Sequence, residues 1–198
     1  MKKGGNRRAV FFDRDGTLLD CDGYLGDPAG VRLLPGVGPA LAAVAALGFE
    51  RIVVSNQSGV ARGLFTEHDY LAVEAAFVAA VEREGGGIEG VYVCHHLPGA
   101  AIIRWDAACD CRKPGPGLLL RAARERGIDC ARSFSVGDMG RDVVAGRRAG
   151  VAASLLVRTG KGRSEEPVLS GLSAPDAVLG SVVDLPAWLE TFAASHPR

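Results

Sequence analysis

The sequence has no excess of charge of either sign. Its 198 residues contain 23 lysines and arginines and 23 aspartates and glutamates. A balanced chain has no broad positive field with which to hold a nucleic acid backbone or an anionic membrane surface. Small anions remain possible ligands, because a few well-placed arginines are enough to bind them. We therefore expect no nucleic acid partner and no membrane partner.

The sequence also lacks a long hydrophobic run. The first apolar stretch, residues 9–12, is interrupted by Asp13 and is too short for a signal peptide or a membrane span. Cysteine is present five times, and this odd number argues against a disulfide framework. These absences predict a cytoplasmic protein. The 47% of residues that are hydrophobic are enough for the core of a single domain over residues 1–198.

Strand-like and helix-like segments alternate along the chain. Strands are predicted at residues 10–13, 51–55, 91–94, 133–136, 153–157 and 178–183. Helices are predicted at residues 35–47, 66–84, 116–126, 141–149 and 185–194, and residues 160–177 are predicted to form a loop rich in glycine and serine. Strands separated by helical crossovers indicate an α/β protein with a doubly wound, mostly parallel sheet.

Polar side chains stand at the carboxyl ends of several predicted strands: Asp13 and Asp15, Ser55 and Asn56, Cys94 and His96, and Asp138. In open parallel sheets, ligands bind outside these ends. Asp13 and Asp15 would share one face if the strand continued through both, and carboxylates that close favour a cation between them. Mg²⁺ suits such a pair and leaves coordination positions for a phosphate. Taken alone, the pair is equally compatible with an acidic turn that caps the strand.

Four segments together resemble the signature segments of haloacid dehalogenase-type phosphatases, in the same order. They are residues 13–17 (Asp-Arg-Asp-Gly-Thr), 55–59 (Ser-Asn-Gln-Ser-Gly), 112–114 (Arg-Lys-Pro) and 137–142 (Gly-Asp-Met-Gly-Arg-Asp). Within that superfamily, residues 22–24, 57–63 and 109–114 resemble the D,D-heptose 1,7-bisphosphate 7-phosphatases. The resemblance implies a Rossmann-like fold. Since only core elements and one loop separate the segments, we expect no cap domain.

The resemblance implies a role for each residue of the reaction. Asp13 would be the nucleophile that forms an aspartyl phosphate, and Asp15 would protonate the leaving alkoxide and later activate water. Mg²⁺ would bind Asp13, the main-chain carbonyl of Asp15 and Asp138. Ser55 and Lys113 would stabilise the transferred phosphoryl group. Asp142 either orients Lys113 through an ion pair or is an ordinary acidic residue at a helix start.

A second metal site is predicted in the loop at residues 94–111. Cys94, His96, Cys109 and Cys111 supply three thiolates and one imidazole, which is a ligand set for structural zinc. Spacing alone leaves two questions open: the cysteines could simply be reduced thiols, and His95 competes with His96. The heptose phosphatases carry a zinc loop of the same pattern, and this resemblance implies a structural Zn²⁺ with His96 as the ligand. A structural zinc ion would stabilise this loop, which has little hydrophobic core of its own.

The resemblance implies Mg²⁺-dependent removal of the 7-phosphate of D-glycero-D-manno-heptose 1,7-bisphosphate by a monomeric enzyme. The alternatives are a histidinol-phosphate phosphatase, a polynucleotide 3′-phosphatase and a zinc-stabilised binding module without catalysis. Four positions depart from the family pattern: Met139 stands where a lysine is common, Ser55 where threonine is more usual, and Leu19 and Cys21 where polar residues are usual in the heptose enzymes. These departures bear on the substrate more than on the reaction. The candidate substrate-binding residues are Cys21, Asp22, Gly23, Tyr24, Asn56, Gln57, Ser58, Arg62 and Arg112.

Overall fold

The computed structural model describes residues 7–21 and 23–196, which form one six-stranded sheet with helices on both faces. The strands are β1 (Ala9–Phe12), β2 (Glu50–Asn56), β3 (Gly90–Cys94), β4 (Phe134–Gly137), β5 (Ala153–Val157) and β6 (Ala177–Leu179). The helices are α1 (Val37–Ala46), α2 (Glu67–Arg83), α3 (Gly117–Arg126), α4 (Gly140–Ala149), α5 (Gly162–Glu165) and α6 (Leu185–Ser195).

The strands follow the order β3-β2-β1-β4-β5-β6, and every neighbouring pair is parallel. The direction of winding therefore reverses between β1 and β4, which opens a crevice at the carboxyl ends of these two strands. Between β1 and β3, the described residues contain β2, the helices α1 and α2, loops and one 3₁₀ turn at Pro28–Gly30, all of which belong to the core fold. The prediction of a doubly wound α/β fold without a cap domain is confirmed.

The core has two layers because successive side chains of each strand point to opposite faces of the sheet. Val10 and Phe12 of β1 belong to the layer that contains Leu41 of α1, Phe77 of α2 and Leu189 of α6. Ala9 and Phe11 belong to the other layer, with residues of α3 and α4. All four β1 side chains are fully buried. Helices cover both faces, which explains why this strand is a continuous apolar run.

The first helix is shorter than predicted, and the first strand lies one residue earlier in the chain than predicted. Helix α1 begins at Val37 rather than at residue 35, because Gly36 adopts a left-handed conformation with φ of 77°. Strand β1 ends at Phe12, one residue before Asp13. Asp13 and Asp15 therefore do not lie on one continuous strand. The described residues do not place these two side chains on one strand face, as a longer strand would have done.

The C-terminal quarter differs most from the sequence prediction. The strand predicted at 178–183 is wrong beyond Leu179, since Ser181 caps a 3₁₀ turn at Val182–Asp184 by accepting from the Val183 amide at 3.2 Å. The stretch 160–177, predicted to be a loop, contains α5 and two 3₁₀ turns. These short elements depend on contacts with other parts of the fold. For example, the Gly140 amide of α4 donates to Glu165 Oε2 of α5 at 3.0 Å. Their sequence therefore shows no hydrophobic periodicity from which they could be predicted.

Two further features concern the molecule as a whole. Within the described ranges, no helix is both long enough and apolar enough to cross a bilayer. A cavity of about 800 Å³ lies at the amino-terminal edge of the sheet, between the starts of β4 and β5 and helix α6. Its walls include Phe49, Phe134 and Phe192. None of the predicted site residues lines this cavity, so its greater size does not make it the candidate active site.

Candidate active site

A smaller cleft of about 180 Å³ lies at the carboxyl-terminal edge of the sheet, beside the switch point. Its lining includes both Asp15 and Asp138, together with seven predicted substrate-binding residues: Cys21, Gly23, Tyr24, Asn56, Gln57, Ser58 and Arg112. Arg62 does not line it; that side chain is exposed, with its guanidinium carbon 5.7 Å from the Tyr24 ring centroid. Asp22, the remaining candidate, lies outside the described residues.

Lys113 joins two carboxylates at the floor of the site. Its ammonium donates to Asp13 Oδ1 at 2.6 Å and to the Val54 carbonyl at 2.8 Å, and lies 2.7 Å from Asp142 Oδ1. All three charged side chains are buried. Burial lowers the pKa of Lys113, but the charges of Asp13 and Asp142 outweigh it and hold that pKa above its usual value. Asp142 forms the predicted ion pair with Lys113. It also acts at the start of α4, where its Oδ2 accepts a hydrogen bond from the Met139 amide at 3.0 Å.

Asp138 completes a group of three buried carboxylates. Oxygens of Asp13, Asp138 and Asp142 all lie within 4.8 Å of one another. Burial and the neighbouring charge of Asp13 raise the pKa of Asp138 to about 7. Two glycines with positive φ, Gly16 and Gly160, press against this carboxylate, and a Cβ on either would overlap its Oδ2. The main chain thus packs closely against the Asp138 carboxylate and leaves no room for a side chain at either position.

Asp15 stands apart from those three carboxylates and points toward the cleft. Arg14, which is fully buried, holds it with two hydrogen bonds, Nε to Oδ1 at 2.9 Å and Nη2 to Oδ2 at 3.1 Å. The Gln57 amide donates to Asp15 Oδ2 at 2.6 Å and to Ser55 Oγ at 2.8 Å. The carboxylate of Asp15 is therefore fixed in orientation while remaining partly exposed to the cleft.

One side chain joins the end of β2, where Ser55 lies, to the loop that carries Lys113. Asn56 Nδ2 donates to the Lys113 carbonyl at 3.0 Å, and the Lys113 amide donates to Asn56 Oδ1 at 2.9 Å. This pair of bonds fixes the main chain of Lys113 against the end of β2. Ser55 lies one residue before the end of β2 and is buried. Asn56 thus supports the site as well as lining the cleft.

The structure also brings the four candidate zinc ligands together. Cys94, Cys109 and Cys111 have their sulfur atoms 2.8 to 3.5 Å apart, and His96 Nδ1 lies 3.4 Å from Cys111 Sγ. His95, the competing histidine, points elsewhere: its Nδ1 lies 2.9 Å from the Gln57 carbonyl, and its ring packs on Trp105. Burial raises the pKa of the Cys94 thiol. Three sulfurs and one imidazole this close fit a tetrahedral zinc ion.

Sequence reasoning missed three charged residues of the site. Arg14 orients Asp15, while Arg141 and Lys161 line the cleft. Arg14 could have been found, because it lies between the two predicted catalytic aspartates. Arg141 also had a signal, since it immediately precedes Asp142 in the last signature segment. Lys161 had none, because it enters the site through a tertiary contact, its amide donating to Asp138 Oδ2 at 2.8 Å.

Comparison with known proteins agrees with this geometry. The HAD-hydrolase-like family model matches residues 110–185. The D-glycero-β-D-manno-heptose-1,7-bisphosphate 7-phosphatase of Yersinia pestis is 39% identical over 178 residues, which cover 90% of this chain and 93% of that protein. The enzyme of the same name from Escherichia coli K12 is 38% identical and covers 90% of this chain and 91% of its own length.

A solved structure is similar over almost the whole fold. It is the D,D-heptose 1,7-bisphosphate phosphatase from B. bronchiseptica, which was crystallised with magnesium and phosphate. The two share a TM-score of 0.83 and 32% identity, over 94% of this chain and 99% of the other. The chain therefore belongs to the haloacid dehalogenase-like hydrolases, within the family of D-glycero-β-D-manno-heptose-1,7-bisphosphate 7-phosphatases.

Proposed function

We propose that this protein removes the 7-phosphate of D-glycero-β-D-manno-heptose 1,7-bisphosphate and releases heptose 1-phosphate. The observation that carries the proposal is the buried Asp13 carboxylate at the end of β1, 2.6 Å from the Lys113 ammonium and beside a cleft lined by Asp15. Relatives that carry the name of this activity are 37–39% identical over about nine-tenths of the chain. The substrate assignment rests on that likeness, and the reaction class on the carboxylates.

Magnesium fits the group of carboxylates at the floor of the site. Asp13, Asp138 and Asp142 together bring three negative charges, and Lys113 offsets only one of them. Burial, and after it the neighbouring charge of Asp13, raises the pKa of Asp138 to about 7, and a cation bound there would favour the ionised carboxylate. We assign Asp13, the main-chain carbonyl of Asp15 and Asp138 as the residues that hold Mg²⁺. When bound, the ion neutralises charge between the carboxylate nucleophile and the phosphate.

The residues then divide the reaction into two steps. Asp13 attacks phosphorus, the bond to the sugar oxygen breaks, and Asp15 gives its proton to that oxygen. No described residue donates to Asp13 Oδ2, so this is the oxygen free to attack. In the second step Asp15 takes a proton from water, the water oxygen attacks phosphorus, and the bond to Asp13 breaks. Ser55 and Lys113 stabilise charge on the phosphoryl oxygens throughout.

We further propose that Zn²⁺ is bound by Cys94, His96, Cys109 and Cys111 and has a structural role, since all four side chains turn toward one another in the loop beside the cleft. The enzyme is proposed to act as a cytoplasmic monomer on a small phosphorylated sugar. The balanced charge of the chain supports the absence of a nucleic acid partner. Light scattering coupled to size-exclusion chromatography tests the oligomeric state directly.

A phosphate-release screen tests the proposed reaction. It compares the heptose bisphosphate, histidinol phosphate and a 3′-phosphorylated oligonucleotide, each with and without Mg²⁺. We expect turnover of the bisphosphate that needs Mg²⁺, with ³¹P NMR showing the 1-phosphate retained in the product. Asp13→Asn should abolish this turnover, because an amide is a poor nucleophile toward phosphorus. Preference for either other substrate, or an active Asp13→Asn variant, would contradict the proposal.

A further inference from the structure

The lining of the cleft carries charges of both signs, and its carboxylates are Asp15 and Asp138. At the floor of the site, Asp13 and Asp142 use the charge of Lys113. The cations of the lining are Arg112, Arg141 and Lys161. A bisphosphate brings two groups of negative charge, and the floor can accept only the one that reacts. The second phosphate must therefore bind to one of these three cations.

Among these three cations, Arg141 is the one with a buried donor that lacks a partner. Its Nε atom is buried and has no hydrogen-bond partner. Across residues 7–21 and 23–196, its guanidinium forms neither an ion pair nor a hydrogen bond. A buried charged donor without an acceptor is costly, more so than an exposed one. Such a group is expected where a ligand from outside the chain supplies the acceptor.

The other cations are less well suited to the second phosphate. Arg112 already donates from Nη1 to the His96 carbonyl at 3.3 Å, which ties it to the loop of the cysteine cluster. Lys161 is exposed, and its main chain is fixed against Asp138, beside the reacting phosphate. Met139, two residues before Arg141, lines the same cleft and brings no charge. Among the described residues, Arg141 is thus the cation that α4 contributes to the cleft.

The position of Arg141 also favours an anion. It lies in the first turn of α4, a helix of ten residues whose amino-terminal end carries partial positive charge. A guanidinium can hold two oxygens of one phosphate at once, which a lysine cannot do. We propose that Arg141 binds the non-reacting 1-phosphate of the substrate and so selects a sugar bisphosphate over a monophosphate. This inference rests on the proposed function and adds a specificity-determining residue to it.

The test measures selectivity with two substrates, the heptose 1,7-bisphosphate and the heptose 7-phosphate that lacks the second phosphate. For each, kcat/KM is determined in the unmodified enzyme, in Arg141→Met and in Arg141→Gln. We expect the ratio of the two kcat/KM values to fall about tenfold or more in both variants, as for loss of a charge-assisted hydrogen bond, mainly through KM for the bisphosphate. The matched control is Arg121→Met, which removes an exposed arginine paired with Glu125 on α3 and should leave the ratio unchanged.

The outcomes separate the two proposals. If the unmodified enzyme hydrolyses neither compound, the proposed function is wrong and this inference falls with it. If it hydrolyses the bisphosphate but both Arg141 variants keep the ratio, Arg141 does not select for the second phosphate. An equal loss on both substrates also overturns the inference, because it indicates a structural role; thermal unfolding of each variant identifies that case. Arg141→Gln retains polar character and guards against misfolding of the methionine variant.

Discussion

At the scale of single residues, the charge balance of the site depends on Lys113. Its ammonium lies between Asp13 and Asp142, and all three groups are removed from water. The attraction between buried charges offsets the cost of their desolvation only while both signs are present. Lys113 therefore has two separable effects: it stabilises the folded chain, and it carries positive charge to the oxygen of the nucleophile.

We predict that Lys113→Met lowers the free energy of unfolding by about 3–5 kcal/mol, because two buried carboxylates lose their counter-ion. It should also reduce kcat by about 10³-fold, as for removal of a preorganised cation. The double variant Lys113→Met with Asp142→Asn removes one of the uncompensated charges and should regain part of the stability and none of the activity. Urea unfolding and steady-state kinetics check both effects. A single variant with kcat within tenfold of the unmodified enzyme would contradict the role given to Lys113.

The sequence indicates which residues at the strand ends belong to the site. It does not indicate which hydrogen bonds those residues form with one another. Asp13, Ser55 and Asp138 were recognisable because each lies at a strand end within a signature segment. The side chain of Gln57 was expected to face substrate, and it also holds Asp15 and Ser55 in place. Such a hydrogen bond depends on the relative position of two loops to within an ångström, which the sequence pattern does not specify.

At the scale of elements, the loop between β3 and α3 contains little regular structure. One 3₁₀ turn, Ile103–Trp105, is the regular structure described between Cys94 and Gly117. Ile103 is 88% exposed, so the loop gains little from apolar burial. The Trp105 ring packs edge-on against both His95 and His96. Because Arg112 and Lys113 directly follow Cys111, order in this loop is transmitted to the floor of the site.

We predict that protein purified without chelators contains close to one equivalent of zinc, held by the four clustered ligands. Cys109→Ser should lose the metal and lower the unfolding midpoint by at least about 5 °C, since metal binding is coupled to folding of the loop. Cys130→Ser is the matched control: Cys130 is half-buried in a 3₁₀ turn outside the cluster, and its loss should leave the zinc content unchanged. Elemental analysis and calorimetry give the two readouts. Zinc-free protein with a normal midpoint would contradict the prediction.

Elements with strong periodicity or clear end signals were predictable, and those maintained by tertiary contacts were not. Helix α2 begins after Thr66, whose Oγ1 accepts from the Asp69 amide at 3.1 Å, and this capping box is visible in the sequence. Helix α5 has four residues and depends on neighbours. The Lys161 amide that precedes it binds Asp138, so a segment expected to be irregular contributes to the site.

At the scale of the whole molecule, the C-terminal elements complete the core of the sheet. Leu179 of β6 and Leu185 and Leu189 of α6 belong to the same buried cluster as Val10 and Phe134 of the central strands. The Phe134 ring packs edge-on against Trp188 and Phe192. Described residues after position 160 therefore share this core with the central strands. The single domain over residues 1–198 stays a prediction.

A single domain should unfold as one unit, and the two tryptophans offer probes at opposite parts of it. Trp105 lies in the loop of the cysteine cluster, and Trp188 lies in α6 against Phe134. We predict that single-tryptophan variants, Trp105→Phe and Trp188→Phe, report the same shift in urea midpoint when Leu189→Ala is added. That substitution creates a buried cavity and should lower the free energy of unfolding by about 2–5 kcal/mol at both probes. Glu190→Ala, the exposed neighbour on α6, should change it by less than about 0.5 kcal/mol. If Leu189→Ala moves the Trp188 signal and leaves that of Trp105 in place, the two ends fold independently and the single-domain prediction is wrong.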